Sequence, residues 1–577
     1  MIIERWVPLI GWLRTYHRGL LTRDVLAAVI VTLMLVPQAL AYAMLAGLPP
    51  EMGLYASMLP LVLYAVFGTS ASLAVGPVAV AALMTASALS SFAAPGSPEY
   101  ICAALVLAAL SGLILIAMGV LRLGFLVNFL SHPVISGFVT ASGILIAISQ
   151  LKHIFGVEAS GHNVVELLRA LLDQWQQVNV ITLLIGLGVW AYLWVCRKRL
   201  NGWLTKLGMP ASWAGLMVKA APISAVVVTT LLAWGFQLEQ RGVDLVGFVP
   251  SGLPAITLPS LDQSLWLGLL PAALLISLVG FVESVSVAQT LAAKRRQRID
   301  PNQELIALGM ANLGAGISGG SPVSGGFLRS GVNFEAGAAT PLAGAFTALG
   351  IVLATLLLTD LLAFLPTATL AATIIVAVGT LIDLPAVKRT WQYSSSDGVA
   401  MVATLLLTLL HSVEVGIISG VVLSLGLHLY RTSQPHSAVV GRVPGTEHFR
   451  NVKRHQVETD EHVAMLRIDE SLYFANARYL EDTVMALASR SPSIKHIVLT
   501  CQAVNVIDAS ALESLEAING RLKDAGAMLH LAEVKGPVMD RLTHTAFYHE
   551  LTGQVFFTTY DAWQALAHPA SAGVVSV

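Results

Sequence analysis

Ser72-Leu-Ala-Val-Gly-Pro-Val-Ala79 and Gly319-Gly-Ser-Pro-Val-Ser-Gly-Gly326 decide the fold. Each places glycine and proline inside an apolar run, where a membrane-spanning helix should be continuous. Each is followed by a short helical run, over residues 78–89 and from 327 to 332 onward. Irregular backbone at membrane depth is tolerated only where protein buries it or where it lines a cavity. The two stretches open the third and the tenth apolar segments, the third position of each half in a seven-plus-seven division. A pair of short, Gly/Pro-interrupted segments at corresponding places is the mark of an inverted repeat, with half-helix N-termini meeting near the membrane midplane.

The rest of the chain fits that frame. Of its 577 residues 55% are hydrophobic and 12% charged, too apolar for one water-facing core. Apolar runs of ~17–25 residues recur between residues 25 and 429, enough to cross ~30 Å of hydrocarbon. We count about fourteen segments of spanning or half-spanning length, centred on Val31, Pro60, Ala82, Leu110, Gly143, Leu187, Val227, Leu275, Ala311, Leu328, Leu349, Ile374, Leu405 and Val422. Strands alternating apolar and polar residues, the pattern of a membrane barrel, are absent from the sequence. Glu4, Arg5, Arg14, Arg18 and Arg23 precede the first run, with no small-residue cleavage site after a short apolar core, so a cleaved signal peptide is not expected. The formal net charge of −1 gives no reason to expect nucleic-acid binding. Cys102, Cys196 and Cys501 are too far apart for a disulfide framework or a metal site.

Basic residues set the orientation. The clusters are residues 14–23, Arg122, Arg197-Lys198-Arg199, Lys294-Arg295-Arg296 with Arg298, and Lys388-Arg389. With the N-terminus inside they fall before segment one and after segments four, six, eight and twelve, all cytoplasmic. An even count leaves the C-terminus inside as well. After Arg431 the composition turns polar, and from Thr459 strand-like runs at residues 462–468, 496–500 and 528–532 alternate with an amphipathic helix at 510–525, implying a small α/β domain. The expected division is 1–24 as a cytoplasmic N-terminal segment, 25–431 as the membrane domain, 432–458 as a linker, 459–570 as the soluble domain and 571–577 as a tail.

Chemistry concentrates around the interrupted segments. A half-helix N-terminus presents unpaired N–H groups and a positive dipole end, a ready anion site. Gly325 and Gly326 allow close approach to the backbone, and Val78 and Ala79 aim the second such end at the same point. Arg329 stands in the first turn of the tenth segment, where a charge is costly and by default functional; its planar donors suit an oxyanion. Pairing with Glu335, or reaching out to an interface, is the structural alternative. Glu283 is the charge within the otherwise uncharged eighth segment, residues 274–293. It is a candidate to load and release a coupling proton, the alternative being a fixed ion pair with Arg329. Gln38 and Tyr42, one helical turn apart in the first segment, either line a cavity or hydrogen-bond between helices. Ser284, Ser286, Asn312, Asn333, His132 and Gln150 read as interhelical hydrogen-bonding groups. In the soluble domain Asp508 or Ser510 caps the helix that follows.

Three stretches carry a resemblance to the SulP anion permease family. Val36-Pro-Gln-Ala-Leu-Ala-Tyr-Ala-Met-Leu-Ala-Gly-Leu-Pro-Pro-Glu-Met-Gly-Leu-Tyr55 resembles the family's signature through its first two helices. Gly68-Thr-Ser70 with Val75-Gly-Pro-Val-Ala79 resembles the approach to its third helix, and Ile507-Asp-Ala-Ser-Ala-Leu-Glu-Ser-Leu515 the centre of its C-terminal STAS domain. The resemblance implies a polytopic all-α membrane domain of the nucleobase-symporter fold, in which a core moves against a gate, plus a small cytoplasmic α/β STAS domain. It implies an anion site between the third and tenth helix ends, with Gln38, Tyr42, Val78, Ala79, Gly326, Phe327, Leu328 and Arg329 around it. Arg329 falls where many members carry the basic residue of that site, and Glu283 where proton-coupled members carry an acid. It further implies a homodimer. In sodium-coupled bicarbonate members a hydroxyl follows the acid one turn later; here Val287 stands there, which favours protons. Phe327 and Leu328 replace the serine of some members and make the lining more apolar.

The expectation is secondary active transport, most simply proton-coupled sulfate uptake by alternating access across the inner membrane. The coupling ion is the proton, with no cofactor and no metal. Partners are the small anion, the bilayer, a second copy and a cytoplasmic ligand of the STAS domain, with no nucleic acid. Sodium–bicarbonate symport and C4-dicarboxylate uptake are the nearest alternatives. Arg329 and the STAS domain speak against a nucleobase symporter, a membrane-tethered regulator would use the STAS domain alone, and no nucleophile–base pair or metal cluster speaks for an enzyme.

Overall fold

A computed structural model of the chain describes residues 6–567 apart from 130, 162, 251 and 491. The expected tail at 571–577, with Glu4 and Arg5, lies outside the described residues. Two compact units divide between Ser424 and Leu425.

The first unit is helical, and each of the fourteen expected centres falls in a helix. In chain order these are α1 (Arg18–Leu45), α2 (Leu59–Phe67, led in by Pro50–Tyr55), α3 (Ala79–Leu89), α4 (Pro98–Val120), α5 (His132–Phe155), α6 (Val180–Val195) and α7 (Ala211–Gly235). The second seven are α8 (Gln263–Lys294), α9 (Pro301–Ile317), α10 (Phe327–Glu335), α11 (Leu342–Leu357), α12 (Thr367–Val378), α13 (Ser395–Leu410) and α14 (Val413–Ser433). Helix α1 begins at Arg18, so residues 18–24 belong to it rather than to a separate N-terminal segment. Among the described residues seven helices are long and apolar enough to cross a bilayer alone. The 11-residue α3 and the 9-residue α10 are not, as the interruptions before them require.

Helices α1–α4 pack with α8–α11, and α5–α7 with α12 and α13. Within the first group α4 lies along α9, and two glycines permit the approach. A Cβ on Gly112 would stand 2.8 Å from the Gly309 carbonyl, and one on Gly309 2.8 Å from that of Gly112. Small residues at such seams let backbones touch, which is how helices associate where lipid supplies no hydrophobic drive. In the second group, Ile154, Val189, Leu193, Ala221, Ala225 and Ala371 form a separate apolar cluster. Leu184, Val228 and Leu267 are more than half exposed on the protein surface, apolar positions that a bilayer would cover.

The interrupted stretches pair with each other. Strand β1 (Val75–Gly76) runs antiparallel to β2 (Ser324–Gly325), in register Val75 with Gly325 and Gly76 with Ser324. The unwound backbone thereby satisfies itself across the two repeats.

The second unit contains a six-stranded sheet in the order β4-β3-β5-β6-β7-β8. Strands β5 (Val463–Ile468), β6 (His496–Thr500), β7 (Met528–Ala532) and β8 (Val555–Phe556) run parallel. Strand β3 (Ser437–Arg442) runs antiparallel to β5, and β4 (Phe449–Asn451) to β3. Both β3 and β4 lie within residues 432–458, so the expected linker is the start of the domain. Its histidines, arginines and prolines masked an edge hairpin. Asp508 caps the helix Ala509–Asp524, its Oδ1 accepting from the Ala511 N–H at 2.9 Å, while Ser510 is exposed.

Candidate functional site

Helices α3 and α10 begin opposite each other at the β1–β2 ladder. Val78 and Gly326 occupy their N-cap positions, and neither helix has a side-chain cap. Their first-turn N–H groups, without intrahelical partners, border a cavity of about 50 Å3. A single water needs roughly 10–15 Å3 on this measure, so the space suits an ion of a few heavy atoms and excludes bulky ligands.

Gln38, Tyr42, Val78, Ala79, Glu283, Gly326, Phe327, Leu328 and Arg329 all line this one cavity. The structure therefore brings every residue expected at the site to one place. Phe327 and Leu328, 57% and 38% accessible, are its exposed members on α10. Arg329 is 2% accessible. Its Nη1 and Nη2 are buried and meet no hydrogen-bond partner among the described residues. The guanidinium is wedged between the unwound stretches: a Cβ on Gly76 would lie 3.1 Å from Nη1, and one on Gly326 3.0 Å from Nε. Gly76 also has φ +150°, a backbone that favours glycine.

Neither structural alternative for the two charges is realised. Among the described residues Arg329 forms no ion pair, with Glu335 or with Glu283, and its burial rules out reaching an interface. The Gln38 amide, the Tyr42 hydroxyl and the Glu283 carboxylate likewise take no hydrogen bond among the described residues. Four polar tips thus converge on one small space without satisfying each other.

The surrounding polar residues do the opposite work, holding the backbone that frames the cavity. Ser284 Oγ accepts the Gly325 N–H at 2.8 Å and donates to the Gly280 carbonyl. Asn312 clamps Val323 by donating to its carbonyl and accepting its N–H, both at 2.9 Å. Asn333 Nδ2 donates to the Ser72 carbonyl at 3.2 Å. Ser330 Oγ accepts the Ala74 N–H at 2.9 Å. Farther out, Glu304 at the start of α9 accepts from Tyr64 Oη and the N–H groups of Thr69 and Ser70, anchoring the approach to β1.

Sequence reasoning missed Val80, Ala377, Val378, Thr380 and Leu381, which complete the lining. Residues 377–381 span the end of α12 and the turn after it, a stretch with no motif. Only their position opposite the two half-helices marks them. Ser330 and Glu304 were also missed as positioning groups; Glu304 sits in a first helical turn, where an acid is unremarkable.

Comparisons with known proteins bear on both units. The sulfate permease family profile matches residues 21–404, and the STAS domain profile residues 454–562. A probable sulfate transporter of Arabidopsis thaliana (sulfate transporter 4.2) is 35% identical over 98% of this chain and 84% of its own length. A probable sulfate transporter of Mycobacterium tuberculosis is 32% identical over 97% of this chain and 98% of its own. Among solved structures, SLC26A9 superposes with a TM-score of 0.90 at 22% identity, covering 99% of this chain and 94% of that one. The transmembrane domain of the cyanobacterial bicarbonate transporter BicA superposes with a TM-score of 0.60 at 24% identity, covering 70% and 98%. At these identities the structural likeness speaks for the fold alone.

Proposed function

The chain belongs to the sulfate permease family, a family of multi-pass membrane anion transporters rather than enzymes, and from that premise we propose that it takes up sulfate together with protons. The observation that carries the reading is the buried guanidinium of Arg329, which faces a small cavity beside two uncapped helix N-termini and whose Nη1 and Nη2 have no partner among the described residues. A buried cation without a counter-ion is costly. An anion in the cavity supplies the counter-charge, the Arg329 fork gives it planar donors, and the helix ends add N–H groups.

In this mechanism Gln38 and Tyr42 complete the anion's hydrogen bonds from α1, and Phe327 and Leu328 control the mouth. Glu283, on the same cavity wall and unpaired, carries the coupling proton. Protonated it leaves Arg329 and the anion undisturbed; ionised it competes with the anion for the guanidinium. Return of the emptied carrier then favours the other protonation state, and the two fluxes are linked. The groups α1–α4 with α8–α11 and α5–α7 with α12–α14 are the bodies that move against each other, by an elevator or rocking motion, to expose the cavity alternately.

The electrical cost of uptake depends on how many protons accompany each anion. A divalent anion moving into a negative interior is opposed by ~2.3 kcal/mol per charge per 100 mV. Two protons make the step electroneutral and a third makes the potential favour it. From the basic clusters we read both termini as cytoplasmic and the membrane as the cell inner membrane, and we read the working unit as a homodimer with the STAS domain open to a cytoplasmic partner.

The test is uptake of labelled sulfate into proteoliposomes, with bicarbonate plus sodium and C4-dicarboxylates as competitors. Sulfate uptake that is independent of sodium and resists a tenfold excess of dicarboxylate supports the reading. Sodium-dependent bicarbonate uptake without sulfate movement contradicts it.

A further inference from the structure

A second, larger cavity of about 480 Å3 lies along the same two helices as the anion site. Helix α1 lines the site with Gln38 and Tyr42, and the larger cavity with Met44 and Leu45. Helix α3 lines the site as far as Val80, and the larger cavity from Leu83 through Ser87 to Ser90. At 1.5 Å rise per residue, the step from Val80 to Leu83 is about 5 Å along α3, one helical turn. The larger cavity is therefore next beyond the site in the direction away from Arg18 and the other basic clusters, at the face the orientation assigns to the outside.

This cavity has a charged wall. Lys152 and His153, in the last turn of α5, line it. The Lys152 ammonium makes no hydrogen bond or ion pair among the described residues. Glu166, the acid on the same wall, is engaged by the Asn163 side chain at 2.8 Å. Ser87 and Gln150 add polar surface. Glu158 is near enough to act on Lys152 without an ion pair between them among the described residues, and in a recess with low-dielectric walls the unpaired ammonium is the group that can meet an anion from solution.

We infer that this cavity is the outer vestibule through which an oxyanion reaches the central site, and that Lys152 is the residue that gathers the anion there. The inference rests on the proposed anion uptake and adds the route and a second recognition point. The vestibule holds the anion loosely, in water, while one turn of α3 with its neighbours on α1 forms the barrier to the site. Opening that barrier needs only a slide of a few ångströms between the helix groups, since both cavities already share α1 and α3.

Two measurements on the full-length protein in proteoliposomes test it. The first does not depend on which substrate is carried. In a variant with Cys102, Cys196 and Cys501 changed to serine, Ser87→Cys is labelled from outside with membrane-impermeant thiosulfonates, one anionic and one cationic. The anionic reagent is expected to react several-fold faster, the preference to vanish in Lys152→Gln and to persist in Lys152→Arg. Absence of labelling from outside, or a preference unchanged by Lys152→Gln, overturns the inference. The second is the external KM for sulfate, expected to rise several-fold in Lys152→Gln at low ionic strength with little change in maximal rate, and to converge with wild type at high salt. An equal KM at low salt overturns it. A wild type that moves no sulfate contradicts the proposed substrate, while the labelling result still decides the vestibule.

Discussion

Among single residues, Arg329 is the one on which anion binding depends most. A hydrogen bond to a charged group contributes about 1.5–3 kcal/mol, so Arg329→Ala should lower sulfate uptake at least about tenfold. Arg329→Lys keeps the charge without the planar fork and should fall between; equal uptake by all three would remove the guanidinium from the mechanism. Gly76→Ala tests the cradle rather than the charge. It forces a φ of +150° on a side chain whose Cβ would stand 3.1 Å from Arg329 Nη1, a conformational strain of about 1–3 kcal/mol. Uptake and melting temperature should both drop. These residues were legible in the sequence because a charge inside an apolar run is costly and glycine there has few other uses. The lining from 377 to 381 was not, since a helix end and the turn after it carry no chemical signal until their neighbours are known.

At the scale of elements, the two half-helices and the ladder between them do what the glycine–proline stretches announced. The pairing of Val75 with Gly325 could not be read, because two residues on each side are too few for a strand signal. Serines and asparagines nearby read as interhelical groups, and the structure gives Ser284, Asn312 and Asn333 backbone partners on the unwound stretches. Ser284→Ala leaves the Gly325 N–H buried without an acceptor, a loss of about 1–3 kcal/mol. Thermal unfolding of the detergent-solubilised protein should show the loss, and an unchanged midpoint would mean that the ladder does not depend on this bond. The hairpin of β3 and β4 was hidden for a different reason. Its strands are short and are flanked by proline and histidine, the composition of an edge as much as of a linker.

For the whole molecule, every residue lining the central cavity lies in the first unit. A chain ending after Ser433 should therefore still bind sulfate; complete loss of binding in a folded truncation would place part of the site elsewhere. The soluble domain has its own acid sensitivity. Burial, with His496 beside it, pushes the His530 imidazole down to about 4. Its Nδ1 accepts the Gln554 N–H at 3.0 Å and its Nε2 faces His496 Nδ1 at 3.1 Å, an arrangement suited to the neutral ring. The unfolded ring takes a proton near 6.5, so the unfolded state binds protons first. Stability is full above about pH 6.5 and declines as pH falls toward 4. Hydrogen exchange at β6 and β7 in the intact protein should accelerate across that window, and a flat profile would contradict the neutral buried ring.

The most direct test of the central claim is labelled-sulfate uptake driven by an acid-outside pH gradient, comparing wild type with Glu283→Gln in the same proteoliposome preparation. With Glu283 as the proton carrier, the gradient should accelerate uptake by wild type and leave the variant unresponsive. A variant that responds to the gradient as wild type does would contradict the assignment of the coupling proton to Glu283.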